Sequence, residues 1–305
     1  MSDRILRLQH VEVRVPDLEL CTAYYTEVVG LVEVAHDEGR VFLKCWDEHE
    51  HHSVVLRQAP TYGLDHMSFK VAEQADLDYY TDRIEKAGIA VKRFARAELG
   101  PGWGEAIRFE APSGHLVELV YGMEKVGNML PLTNPPPRPA NLVGIAPPRL
   151  DHIFIMAEDV DGVTAFFRSV LGFRMTEQVL DANGHQLGVW LERSHSPHDI
   201  AIVNGPNGAL HHFAFWLDDW DQVRKAADIL AFNGVQIDQG PTRHGVTRGN
   251  TIYFFDPLGI RNEVFTGGYR PDPDFPSITW TEDQFGRGLF YYENVISQRF
   301  LRFHT

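Results

Sequence analysis

The chain has 305 residues, with 28 Lys and Arg against 42 Asp and Glu, and its formal charge of −14 argues against a nucleic-acid or anionic-membrane partner. Apolar residues at 44% and charged residues at 23% are an ordinary globular mix, which excludes disorder as the main state and suits two domains. No uncharged apolar run reaches the roughly 18 residues of a membrane span, the opening MSDRILRLQH lacks a secretory core, and Cys21 and Cys45 are too few for a disulfide scaffold, so a cytoplasmic protein is expected.

The first element, HVEVRV from His10, alternates with a period of two and reads as a half-buried strand. A helix follows, with Cys21, Tyr24, Tyr25, Val28 and Val29 on one face and Gly30 as its stop. VFLKCW, SVVLRQ and HMSFKV read as short strands, a second helix ends at Gly88, and IRFEAPSGHLVELV reads as a strand pair around its PSG turn. Met123 to Arg149 is rich in proline without a usable period and reads as a linker or wrapping arm.

From Pro148 the chain repeats itself. PRLDHIFIMAEDVDGVTAFFRSVLGF matches LRLQHVEVRVPDLELCTAYYTEVVGL at Leu6 without a gap, ALHHFAFWL matches GLDHMSFKV, and IYFFDPLGIRNEVFTG matches IRFEAPSGHLVELVYG. The second copy has its own helix face at Val163, Phe166, Phe167, Val170 and Leu171, strands LGVWLE, IAIVNG and HFAFWL, and a second helix ending at Gly234. The expected class is α+β, each copy a curved, mainly antiparallel sheet with helices on its outer face. Residues 1–125 form the first module pair, 126–148 the linker, 149–268 the second module pair and 269–305 a tail without counterpart. In that tail a capping-box pattern at Thr281 to Gln284 and a stripe of Phe285, Leu289, Tyr292, Ile296 and Phe300 predict a helix that covers one sheet face.

With so few cysteines, any metal must be held by nitrogen and oxygen. His152 in RLDHIFI, His212 in LHHFAF and Glu263 in RNEVF occupy inward-facing strand positions of the second copy. Two imidazoles and one carboxylate cover one face of an octahedral ion, for which ferrous iron is the usual occupant, and zinc is the competing chemistry that spacing cannot separate. The repeat puts His10, His66 and Glu118 at the same places in the first copy. Only the second copy has His244 and Tyr253, where the first has Leu99 and Arg108, so the metal is expected in the second copy and His10 and His66 are read as hydrogen-bonded relics. His198, ahead of His212 as His52 is ahead of His66, suits general acid/base work beside a metal. His211 should point to the opposite face from His212.

RLDHIFI, LHHFAF, GPTRHGVTRGNTIYFFDPLGIRNEVF and TWTEDQFGRGLFYYE resemble the extradiol ring-cleaving dioxygenases, in particular their catechol 2,3-dioxygenase branch. The resemblance runs nearly end to end and is most specific from Gly240 to Phe265. It implies paired βαβββ modules of the vicinal oxygen chelate, glyoxalase-like type, one Fe(II) per subunit on His152, His212 and Glu263, and a homotetramer. It implies a catalytic second half and a non-catalytic first half, His198 as the proton-handling histidine, His244 and Tyr253 as partners of the ring oxygens, and Leu289 and Phe300 in the ring pocket. The implied reaction is meta cleavage of catechol or alkyl-catechols by dioxygen to 2-hydroxymuconic semialdehyde, in the breakdown of aromatic compounds. One departure stands out, Arg248 where the family pattern TRHGxTHG has a second histidine, and a changed cavity mouth or substrate preference is expected there. A metal-dependent isomerase or oxo-acid oxygenase on the same modules, or a non-catalytic binding module, are the other classes; a binder would not require His198, His244 and Tyr253 around an intact triplet.

Overall fold

Two sheets of the same strand order are built by the two halves of the chain. The computed structural model describes residues 4–305. β1 (Ile5–Val15), β2 (Val32–Asp37), β3 (Arg40–Lys44), β4 (Val54–Gln58), β5 (Gly63–Val71), β6 (Lys92–Phe94), β7 (Glu105–Glu110) and β8 (Leu116–Tyr121) are ordered β2-β3-β4-β1-β5-β8-β7-β6. The second half repeats this with β9 (Arg149–Ala157), β10 (Arg174–Leu180), β11 (Gln186–Glu192), β12 (Ile200–Asn204), β13 (Leu210–Trp216), β14 (Ile237–Arg243), β15 (Gly249–Phe255) and β16 (Arg261–Gly267). An additional strand, β17 (Ile278–Thr281), pairs in parallel with β10 at the sheet edge. The expected antiparallel character holds for most pairs, but β1 with β4 and β5 with β8, and their counterparts β9 with β12 and β13 with β16, run parallel, so both sheets are mixed. Each half is thus a pair of β-α-β-β-β modules, the α+β arrangement expected from the sequence.

The helices pack on their own sheets and also meet across the molecule. α1 (Leu18–Ala23) starts at Asp17, whose carboxylate accepts from the Leu20 amide, and widens into a π-helical turn at Tyr24–Val29. The single α-helix read from the periodicity is therefore shorter, and its wide last turn carries two adjacent tyrosines toward the second sheet. There Tyr24 O–H donates to Asn262 Oδ1 at 3.1 Å and Tyr25 stacks with Phe213, ring centres 6.3 Å apart. Gly30 ends the turn at φ 85, and a Cβ on it would meet the Val143 carbonyl at 2.0 Å, so the arm can lie against the helix only because this residue is glycine. α2 (Ala75–Lys86), α3 (Val160–Ser169) and α4 (Trp220–Phe232) complete the layer. Phe69 with Phe173 at 5.2 Å and Phe109 with Phe166 at 6.0 Å join the halves in one continuous apolar core.

Residues 126–148 contain no helix or strand and bond back onto the first half, with Ile145 N–H to the Val28 carbonyl and Met129 N–H to the Trp46 carbonyl. The tail departs from its sequence reading. Instead of one long helix it forms β17, a short 3-10 turn at Glu282–Gln284, α5 (Phe285–Leu289) and α6 (Gln298–Arg302), and Thr281 makes no side-chain cap bond. Gly286 and Gly288 weaken helix propagation, and Asn294 takes a left-handed conformation at φ 57. Leu289 and Phe300 are buried while Tyr292 is exposed, so the apolar stripe does not act as one face. The tail nonetheless lies over the second sheet: Gly288 O accepts from the Gly245 and Val246 amides, and Thr305 and Leu210 exchange both backbone bonds. No helix among the described residues is long and apolar enough to cross a membrane.

Candidate metal centre

Strand register brings the centre together. His152 on β9 pairs with Ala214 on β13, Ala214 with Glu263 on β16, and Glu263 with Tyr253 on β15, giving one transverse row across four strands. His212 lies two residues from Ala214 and shares its face. His152 Nε2 is 3.0 Å and His212 Nε2 2.9 Å from the same oxygen of Glu263, and all three residues are buried. His212 Nε2 makes no hydrogen bond to any described residue, so a buried imidazole nitrogen points at the shared oxygen without being satisfied by it. Donor atoms that lie within 4.8 Å of one another in this way fit a divalent ion: two neutral nitrogens and one carboxylate oxygen on one side, with no thiolate.

Neighbouring groups aim these donors. Asp151 Oδ2 accepts from His152 Nδ1 at 2.9 Å, a support that would turn the His152 Nε2 lone pair toward an ion in place of its present bond to Glu263 Oε2 at 3.0 Å. His212 Nδ1 lies 2.6 Å from His211 Nδ1, and His211 Nε2 is 3.0 Å from the Phe300 carbonyl and 2.7 Å from Arg261 Nη1. With His212 Nε2 left to an ion, His212 Nδ1–H would donate to His211 Nδ1. Thr251 O–H donates to Glu263 Oε1 at 2.5 Å. Burial alone would raise the Glu263 carboxyl, but the imidazoles around it, His152 foremost, outweigh burial and hold it well below the usual range. Burial likewise opposes charge on His152, where Glu263 and Asp151 win and push it up, whereas on His212 burial wins and pulls it down to about 4. Glu263 thus keeps its negative charge, and a proton on His152 balances it.

The other sequence-predicted residues gather around this row. Tyr253 O–H donates to His244 Nε2 at 3.0 Å, and His244 Nδ1–H donates to the Leu289 carbonyl, a partner that fixes the histidine tautomer. His198 lies in the loop just before β12, its ring centre 3.9 Å from that of His152, and its Nδ1 is buried without a hydrogen-bond partner. Burial, followed by the nearby His152, holds His198 well below the ordinary imidazole value, so its ring is neutral. Phe300 meets the Tyr253 ring edge-on at 4.9 Å, and Leu289 shares the same apolar cluster with Phe154, Trp190 and Phe290. Arg248 is exposed, its guanidinium 4.8 Å over the Tyr269 ring, and makes no contact with the triad.

His211 is the residue that sequence reasoning assigned to the wrong face. The register of β13 against β9 shifts between Leu210 and His212, and this bulge lets successive residues point inward. His211 therefore packs against Phe154 at 4.8 Å and Phe300 at 4.9 Å, on the side of His212. The adjacent His-His and Asp-His pairs were the available signal for His211 and Asp151. Replacing His211 by Phe keeps the ring but removes the acceptor for His212. Metal affinity measured by competition with a chelator is expected to fall roughly 10- to 100-fold, the usual scale for such supporting groups, and unchanged affinity would show that His211 only packs.

Comparison with known proteins agrees with this geometry. Residues 149–264 match the Glyoxalase/Bleomycin resistance protein/Dioxygenase superfamily, and residues 64–124 match the Catechol 2,3-dioxygenase-like N-terminal domain. A metapyrocatechase of Pseudomonas sp. (strain CF600) is 40% identical over 304 residues, 99% of each chain. A manganese-dependent 2,3-dihydroxybiphenyl 1,2-dioxygenase of Geobacillus genomosp. 3 is 32% identical over 302 residues, 96% of this chain and 95% of the relative. The crystal structure of the 2,3-dioxygenase LapB from Pseudomonas sp. KL28 superposes with a TM-score of 0.89 at 45% identity, covering 92% of this chain and 98% of that one. Full-length similarity of this order, together with a two-histidine, one-glutamate metal site in the second half, makes the chain a member of the extradiol ring-cleaving dioxygenases, enzymes of catechol-type substrates.

Proposed function

We propose that the protein cleaves catechol or alkyl-catechols beside the diol, using dioxygen and one Fe(II) per subunit, to give 2-hydroxymuconic semialdehyde or its alkyl analogue. The observation that carries this reading is the transverse row of His152, Glu263 and Tyr253, with His212 on the same face and His198 against His152. His152, His212 and Glu263 would hold the ion, which when bound acts as a Lewis acid toward the diol and provides redox chemistry that zinc cannot. Tyr253 O–H and His244 Nε2, already 3.0 Å apart, orient the two ring oxygens by hydrogen bonds. His198 starts neutral, takes a proton released as the diol binds, and returns it to oxygen as the O–O bond breaks. Both atoms of dioxygen end in the product, and the ring opens at the carbon-carbon bond next to the diol.

Phe154, Trp190, Leu289, Phe290 and Phe300 form an apolar enclosure suited to an aromatic ring, and the tail that supplies the last three keeps bulk water from the reacting atoms. Residues 149–268 are in this reading the catalytic module pair, 1–125 a non-catalytic pair, 126–148 the linker and 269–305 the cover. The protein is cytoplasmic and acts as a homotetramer, an assembly that would bury exposed apolar residues such as Phe232 and that light scattering checks.

The reaction is tested by loading purified protein anaerobically with Fe(II) and adding catechol in air. A yellow ring-fission product with one oxygen consumed per catechol is the expected result. Parallel loading with Mn(II) asks which ion works, as one relative is manganese-dependent. Absence of oxygen uptake with any catechol and either ion would remove the proposal.

A further inference from the structure

We propose that the first half contains a second divalent-cation site that Arg108 keeps closed, its guanidinium standing in for the ion that His10, His66 and Glu118 would otherwise bind. The register is the same as in the second half. His10 pairs with Ser68, Ser68 with Glu118, and Glu118 with Arg108, so Arg108 takes the place that Tyr253 takes in the other row. The three donor residues are fully buried, and their ligand atoms lie within 4.8 Å of one another.

The hydrogen bonds show what the site is arranged to hold. His10 Nδ1 donates to Gln9 Oε1, an orientation fixed because Gln9 Nε2 donates to the His52 carbonyl at 2.9 Å. His66 Nδ1 donates to Asp65 at 3.0 Å, as His152 does to Asp151. With both Nδ1 atoms donating, the Nε2 atoms face each other at 3.0 Å, a contact that takes either a shared proton or a positive centre beside it. Arg108 supplies one: its Nη2 reaches His66 Nε2 at 3.1 Å and its Nε reaches Glu118 Oε2 at 2.8 Å. A guanidinium is a permanent cation, so the buried carboxylate stays neutralised without any ion. Tyr253 in the second half is a neutral hydroxyl and leaves that charge for a metal. Ser68 and Trp103 add donors to Glu118, and the Trp103 ring lies 5.1 Å from His10 and 4.4 Å from His52.

The inference does not depend on which diol is cleaved. It is tested with Co(II) by equilibrium dialysis and thermal unfolding. Wild type is expected to bind one ion per subunit, Arg108→Ala two, His212→Ala none and the His212→Ala/Arg108→Ala pair one. Arg108→Ala should melt lower than wild type in chelator and recover with Co(II), whereas Arg108→Ala/Glu118→Gln should bind no second ion. If Arg108→Ala is recovered only unfolded, refolding that requires Co(II) supports the proposal and refolding in neither condition overturns it. A folded Arg108→Ala that binds a single ion, or a second ion that survives Glu118→Gln, also overturns it.

Discussion

His212→Ala is expected to lose the bound ion and ring cleavage together while the fold persists. The removed imidazole is buried, but His152 and Glu263 remain paired at 3.0 Å, and the strands that carry them are held by backbone ladders that the substitution leaves intact. Two donors cannot hold one face of an octahedral ion at the affinity of three. Without the ion, several kcal/mol of transition-state stabilisation disappears, and at about 1.4 kcal/mol per tenfold the loss in turnover is roughly a thousandfold or more. Metal content, oxygen uptake and the thermal midpoint of the purified variant check this. Normal turnover, or normal metal content with no turnover, would contradict the assignment of His212 as a ligand.

His198→Ala should separate metal binding from proton handling. Its Nδ1 has no partner among the described residues, and its ring touches His152 rather than offering a nitrogen to the same point as the triad. The ion is therefore expected to stay at wild-type stoichiometry, the KM for catechol to change little, and kcat to fall by about a hundredfold or more, the scale of a lost acid/base group. Loss of the ion in this variant would instead make His198 part of the metal site. An undiminished kcat would leave its buried nitrogen without a role.

Much of this centre could be read from the chain alone because an internal repeat constrains alternation twice. RLDHIFI and NEVF place His152 and Glu263 by the period of a strand, and the register in the structure puts them in one row with Tyr253. Local anomalies escaped the same logic. The bulge reverses the expected face of His211 because that residue is the extra one in β13, and nothing in LHHFAF announces it. The π-turn at Tyr24–Val29 keeps a helical pattern of apolar residues, so periodicity cannot tell it from an α-helix. In the tail the apolar spacing masked two glycines, and the helix that contains them stops after a single turn at Leu289.

Arg108 and Arg248 show how a substitution within a repeat or family pattern gains meaning only from its neighbours. Arg108 was legible as a difference from Tyr253, but its pairing with Glu118 and His66 depends on strand register. Arg248 lies outside the enclosure, over the Tyr269 ring, and not at the triad where a changed residue would bear directly on the ion. Its effect on the cavity mouth has no support from a contact.

The most direct test of the central claim is anomalous diffraction from crystals of the Fe(II)-loaded protein soaked anaerobically with catechol, recorded on both sides of the iron edge. One peak per subunit is expected between His152, His212 and Glu263, with diol density on its open side toward Tyr253 and His244. A peak confined to His10, His66 and Glu118, or no peak in fully reconstituted protein, would contradict the account.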